Sequence, residues 1–137
     1  MTYIALKNVT ALFNSDSRHN IGLPTCISTT GDKFLAIGTS SSAIVLFEVG
    51  VRGHKVLKND DGKKIGSVIS VSISRDNKYM VAGHETGLIT IWDLYYYSLN
   101  KVEVMGRHRV IKVLFSCEYS DYFVANDSDG NVIMYTL

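Results

Sequence analysis

Apolar residues in this chain come in short runs separated by small and polar ones, and three stretches repeat the same pattern. "FLAIGTSSSAIVLFEV" (34–49), "YMVAGHETGLITIWDL" (79–94) and "YFVANDSDGNVIMYTL" (122–137) align without a gap. Their first aromatics, Phe34, Tyr79 and Tyr122, stand 45 and 43 residues apart, and their second aromatics, Phe47, Trp92 and Tyr135, keep the same spacing. Within each unit, β-branched and aromatic residues form two arms around a tip of turn-forming residues: "TSSS", "HETG" and "DSDG". Such a unit is a β-hairpin. The second arms are apolar at nearly every position, which suits a strand covered on both faces.

Further strands flank each hairpin. "TCIST" (25–29), "VISVSIS" (68–74) and "VIKVLFS" (110–116) precede the three hairpins, and "HKVLKN" (54–59) and "KVEVMG" (101–106) follow the first two with polar residues suited to an outer edge. No stretch shows sustained helical periodicity. The chain therefore predicts an all-β fold, and a period of about 40–45 residues is that of a β-propeller blade. The expected organisation is a single domain of three repeats, at about 22–59, 66–106 and 108–137, with an N-terminal strand over 3–14. Closed propellers have about 4–8 blades. Three repeats are thus expected to be part of a longer protein, or else to be completed by a second copy whose N-terminal strand fills the last blade.

Composition narrows the class. With 137 residues, 46% of them hydrophobic and 20% charged, the chain can bury a real core. A formal charge of +1 supplies no field for nucleic acid or anionic lipid. The N-terminus has no signal-peptide pattern, and the longest apolar run, five residues from Ala43 to Phe47, is far short of a membrane helix. Cys26 and Cys117 stand in no ligand-like spacing, and their expected role is as small buried hydrophobes in a reducing cytoplasm.

The candidate chemistry is thin. His84–Glu85 would begin a zinc-protease motif only with a second histidine at position 88, which is Leu88, and on a helix rather than a hairpin. "DSDGN" (127–131) alternates oxygen ligands as calcium loops do, but no glutamate closes a loop and it reads as a turn. His19, His54, His84 and His108 share no metal spacing, so exposed or capping roles are expected, and "NDDGKK" (59–64) has too little glycine for a phosphate cradle. No catalytic constellation assembles, so no catalytic, metal or cofactor residues are assigned.

Two stretches are candidate partner-binding surfaces. In "LYYYSLN" (94–100), Tyr95, Tyr96 and Tyr97 cannot all point inward, and exposed tyrosines are enriched at interfaces. "GRHR" (106–109) clusters Arg107, His108 and Arg109, and shares a face with Lys63 and Lys64 if the connections between repeats lie together.

"GLITIWDL" resembles the end of a WD repeat, and "DSDGNVIMY" is similar to the Asp-Gly turn and third strand of the same unit. The resemblance makes Phe47, Trp92, Asp93, Asp129, Gly130 and Tyr135 the structural repeat positions. It implies a rigid, non-catalytic platform for other proteins. Gly106 and His108 are separated by Arg107 where the family has a Gly-His dipeptide. Ala82 stands where the family often has a serine serving the tryptophan indole, so Trp92 needs another acceptor. The ordered set "GLPTCIS", "LAIGTSSSAIVLFE", "VISVSIS", "GLITIWDL" and "NDSDGNV" resembles the N-terminal propeller of the vacuolar protein sorting-associated protein 8 family, subunits of the CORVET endosomal tethering complex. That resemblance implies a cytosolic scaffold, peripheral on endosomes, that works with tethering subunits and a Rab-family GTPase. The rival reading is a nuclear or ribosome-associated module binding nucleoprotein.

Overall fold

A computed structural model describes residues 10–14, 21–30, 32–59, 65–119 and 121–137. Helix α1 (Thr10–Asn14) precedes eleven strands: β1 (Pro24–Thr29), β2 (Phe34–Thr39), β3 (Ile44–Glu48), β4 (Lys55–Leu57), β5 (Val68–Ile73), β6 (Tyr79–His84), β7 (Leu88–Asp93), β8 (Ser98–Val104), β9 (Val110–Phe115), β10 (Tyr122–Asp127) and β11 (Val132–Thr136). They form three antiparallel meanders, β1–β4, β5–β8 and β9–β11. These are three blades of a β-propeller, as the period predicts.

The repeats match in backbone detail. Each hairpin tip turns through one left-handed residue at the same repeat position: Ser42 (φ +63°), Gly87 (φ +89°) and Gly130 (φ +87°). Two of the three use glycine, which adopts that conformation without penalty, whereas Ser42 bears the strain of a Cβ. Each innermost strand also carries a bulge at one place, between Pro24 and Cys26, between Val68 and Ser70, and opposite Asn126 and Asp127.

The blades stack face to face. Strand β5 packs on β1 and β2, and β9 packs on β5 and β6. Between blades 1 and 2 lie Phe34, Ala36, Leu46, Val68, Met80 and Trp92, and between blades 2 and 3 lie Val81, Ile89, Ile91, Val110, Val113 and Phe123. Glycine sets the approach. A Cβ on Gly38 would overlap Val68, and one on Gly83 would overlap Val110. The serines of "VISVSIS" join the stack: Ser70 Oγ accepts the Val113 N–H (3.1 Å) and Ser72 Oγ accepts the Phe115 N–H (3.0 Å). A buried backbone N–H left without a partner would cost about 1–3 kcal/mol.

Several expectations change. Residues 10–14 of the expected N-terminal strand are helical, and residues 3–9 lie outside the described residues. Leu12 and Phe13 pack beside Ile37, Val45 and Phe47, on the side of blade 1 that faces no other blade. Double-sided burial holds for β3 and β7 but not for β11, where Val132 and Met134 are 73% and 65% exposed. No other blade among the described residues covers that face of the third meander. It also differs chemically, because Lys112, Leu114 and Asn126 stand where blade 2 has Ser70, Ser72 and Gly83. Both cysteines are free, and Cys117 is exposed rather than buried because it sits in the turn after β9.

Candidate partner-binding surfaces

Trp92 decides how blade 2 is fastened. Its indole is buried, and Nε1–H donates to Thr90 Oγ1 at 3.0 Å, two residues back on the same strand. Thr90 Oγ1 lies 2.9 Å from His84 Nε2, and His84 Nδ1 lies 3.1 Å from the Gly66 carbonyl oxygen. That carbonyl can only accept, so Nδ1 carries the proton and the Thr90 hydroxyl donates to Nε2. His84 is 1% exposed, which corrects the expected exposed or capping role. Burial pushes its pKa down to about 4, only partly opposed by the Gly66 carbonyl. The ring is neutral, and the chain Trp92–Thr90–His84–Gly66 satisfies every member. Phe47 and Val45 in blade 1, and Tyr135 and Ile133 in blade 3, cannot form it.

The residue at the His84 position is buried and polar in all three blades. Thr39 donates to the Ala43 carbonyl at 2.8 Å, and Asp127 Oδ1 accepts the N–H groups of Asp129 and Asn131. The Asn131 amide, first among the hydrogen bonds to Asp127, holds its pKa below the ordinary carboxylate value. "DSDGN" is thus a self-satisfied turn. Gly130 N–H donates to the Asp127 carbonyl. Tyr135 stacks on Phe123 at 5.1 Å, and Phe47 meets His54 at 5.8 Å.

The tyrosine triplet splits. Asp93 Oδ1 accepts the N–H groups of Tyr95 (2.8 Å) and Tyr96 (3.1 Å), closing a tight turn after β7. The turn throws both side chains outward, 80% and 73% exposed, with their rings edge to face at 4.8 Å. Tyr97 adopts φ +55° and turns back toward blade 1. Its hydroxyl donates to Glu48 Oε2 at 3.3 Å, and the Lys55 ammonium sits 4.4 Å above its ring. Burial, then the Glu48 charge, raises the Tyr97 pKa.

Arg107, His108 and Arg109 are all exposed on the connection from β8 to β9. Met105 N–H donates to the Gly87 carbonyl and Ser128 N–H to that of Arg109, so this loop lies against the hairpin tips of blades 2 and 3. His108 Nε2 lies 3.6 Å from Asp129 Oδ2. Lys63 and Lys64 lie outside the described residues. The two candidate surfaces are not brought together: the tyrosine turn follows β7 and the basic loop abuts its start, six strand residues or about 20 Å away. Reading by sequence alone also missed Glu48 at the end of β3, Arg52 in the connection after it and Lys55 at the start of β4, which lie around Tyr97 from blade 1.

The family model for the Vps8 β-propeller matches residues 1–137. The vacuolar protein sorting-associated protein 8 homolog of Mus musculus is 26% identical over 141 residues, 99% of this chain and 10% of the relative. That of Homo sapiens is 26% identical over 145 residues, with the same coverage. This chain thus spans about a tenth of their length. The LST8 homolog of Dictyostelium discoideum is 34% identical over 65 residues, 47% of this chain and 21% of the relative. Among solved structures, the β-propeller domain of Cps50 (Swd1) from Myceliophteria thermophila superposes with a TM-score of 0.65 at 20% identity, covering 85% of this chain and 39% of that one. At that identity the likeness speaks for the fold alone. Matched along its whole length and built of stacked antiparallel blades of four, four and three strands, the chain belongs to the Vps8 β-propeller family.

Proposed function

We propose that the chain is a non-catalytic interaction platform in vacuolar and endosomal sorting, serving a vesicle-tethering assembly on the cytoplasmic side of the membrane. The observation that carries this reading is the family match along all 137 residues. The geometry suits it: hydrogen-bonded blades hold Tyr95 and Tyr96 rigidly outward at one end and Arg107 and Arg109 at the other. Exposed aromatic and arginine side chains on a fixed frame are the usual anchors of protein interfaces. Tethering-complex subunits are the expected partners, with a Rab-family GTPase as a further one. Membrane association would run through them, and no helix among the described residues is long and apolar enough to cross a bilayer. Self-association to complete the ring is a further element of the proposal, supported by the exposed Ile111, Leu114, Val132 and Met134 of blade 3.

Affinity capture from cell extract at two salt concentrations tests the platform, with mass spectrometry as the readout. Recovery of tethering subunits or a Rab-type GTPase is expected. Recovery of ribosomal or chromatin proteins alone, lost at higher salt, would move the function to the nucleoprotein reading. Light scattering that gives a strict monomer at high concentration would exclude self-association.

A further inference from the structure

At the end of the blades that carries the tyrosine turn, a small open cleft of about 90 Å³ runs between blades 1 and 2. One wall is the connection from β3 to β4, which kinks at Gly50 (φ +79°) and Gly53 (φ +84°). A Cβ at either glycine would meet nothing within 4 Å, so backbone conformation and not crowding selects glycine there. The kinks carry Val51 and Arg52 outward, both exposed. The other wall is the Tyr97 ring, and Leu46 forms part of the floor.

The charges are unequal. Arg52 and Lys55 face a single carboxylate in the lining, Glu48, and Glu48 already accepts the Tyr97 hydroxyl. Lys55 is held over the Tyr97 ring, whereas Arg52 makes no ion pair among the described residues. A planar guanidinium beside an apolar floor suits a carboxylate flanked by an apolar side chain. The cations line a concavity rather than a broad flat face, which favours a peptide over a lipid surface.

We propose that this cleft binds an acidic segment of a partner protein, with an apolar side chain between Val51 and Tyr97 and flanking carboxylates on Arg52 and Lys55. The proposal deepens the platform reading by naming the chemistry of one partner, and its test needs none of the tethering subunits.

The probes are a fluorescein-labelled peptide of alternating Glu, Asp and Leu, its counterpart with Lys for each acid, and phosphatidylserine vesicles. Anisotropy should show the acidic peptide binding and the basic one not. Arg52→Glu and Lys55→Glu should each weaken binding at least about fivefold, while Lys101→Glu, on the side of blade 2 that faces blade 3, should leave it unchanged. All three positions are exposed, so circular dichroism should be the same for each variant. Binding that ignores both cleft variants, equal binding of the basic peptide, or binding to vesicles alone would each overturn the proposal. If the chain captures tethering subunits but not the acidic peptide, the cleft assignment fails and the platform reading stands. Peptide binding without subunit capture gives the converse.

Discussion

His84 should make this domain acid-sensitive through one identifiable group. The folded-state pKa is about 4, lowered by burial from an ordinary value of 6.5. The unfolded chain therefore binds more protons between those two values, and stability falls as pH falls. The contribution is fully present above about pH 6.5 and is lost as pH drops toward 4. At about 1.4 kcal/mol per pKa unit, the loss is about 2 kcal/mol at pH 5 and about 3 kcal/mol at pH 4. Urea unfolding followed by Trp92 fluorescence at pH 7.5 and 5.0 measures it, with His84→Gln as the reference. Glutamine keeps a donor and an acceptor near Gly66 and Thr90 but does not titrate, so groups common to both proteins cancel. Wild type should lose about 2 kcal/mol more than the variant over this interval. If the two lose the same amount within about 0.5 kcal/mol, His84 is not held neutral in the core, and the proton assignments along the Trp92 chain fall with it.

The same chain predicts that Thr90→Val, which keeps the shape and removes the hydroxyl, strands the Trp92 indole N–H and His84 Nε2. The expected cost is about 2–4 kcal/mol by denaturation, and an unchanged midpoint would contradict the network. Gly83→Ala should cost about 1–3 kcal/mol by forcing Val110 away, and Val110→Ala in the same molecule should recover part of it in a double-mutant cycle. Ser42→Gly should raise stability by up to about 1 kcal/mol, since glycine adopts φ +63° without the Cβ penalty; a fall in melting temperature would count against strain at that turn. Tyr95→Ala with Tyr96→Ala should leave stability within about 0.5 kcal/mol and reduce partner recovery in affinity capture. Equal recovery would remove the tyrosine turn from the interface.

Local pattern alone determined the three hairpins, the strands before and after them and the all-β class. Alternation within a strand and turn chemistry within four residues are short-range signals, and a repeat multiplies each of them by three. That is why Phe47, Trp92 and Tyr135 align on spacing alone, and why His84–Glu85 reads as a hairpin end rather than half of a zinc site. The exception is the N-terminal segment, where the helix at Thr10–Asn14 has no repeat to vouch for it.

Tertiary structure decided what the polar residues inside that frame do. Nothing local distinguishes Ser70 and Ser72 from solvent-facing serines, because their partners, the N–H groups of Val113 and Phe115, are 43 residues away. His84 reads as a turn residue until the Gly66 carbonyl and the Thr90 hydroxyl close around it. Tyr97 turns inward while Tyr95 and Tyr96 turn out, because a left-handed backbone aims it at Glu48 and Lys55 of the neighbouring blade. Backbone pattern is set by each residue and its near neighbours, and so it is legible in order along the chain. Burial of a polar group is set by whatever the fold brings to it, and only the stacked blades supply that.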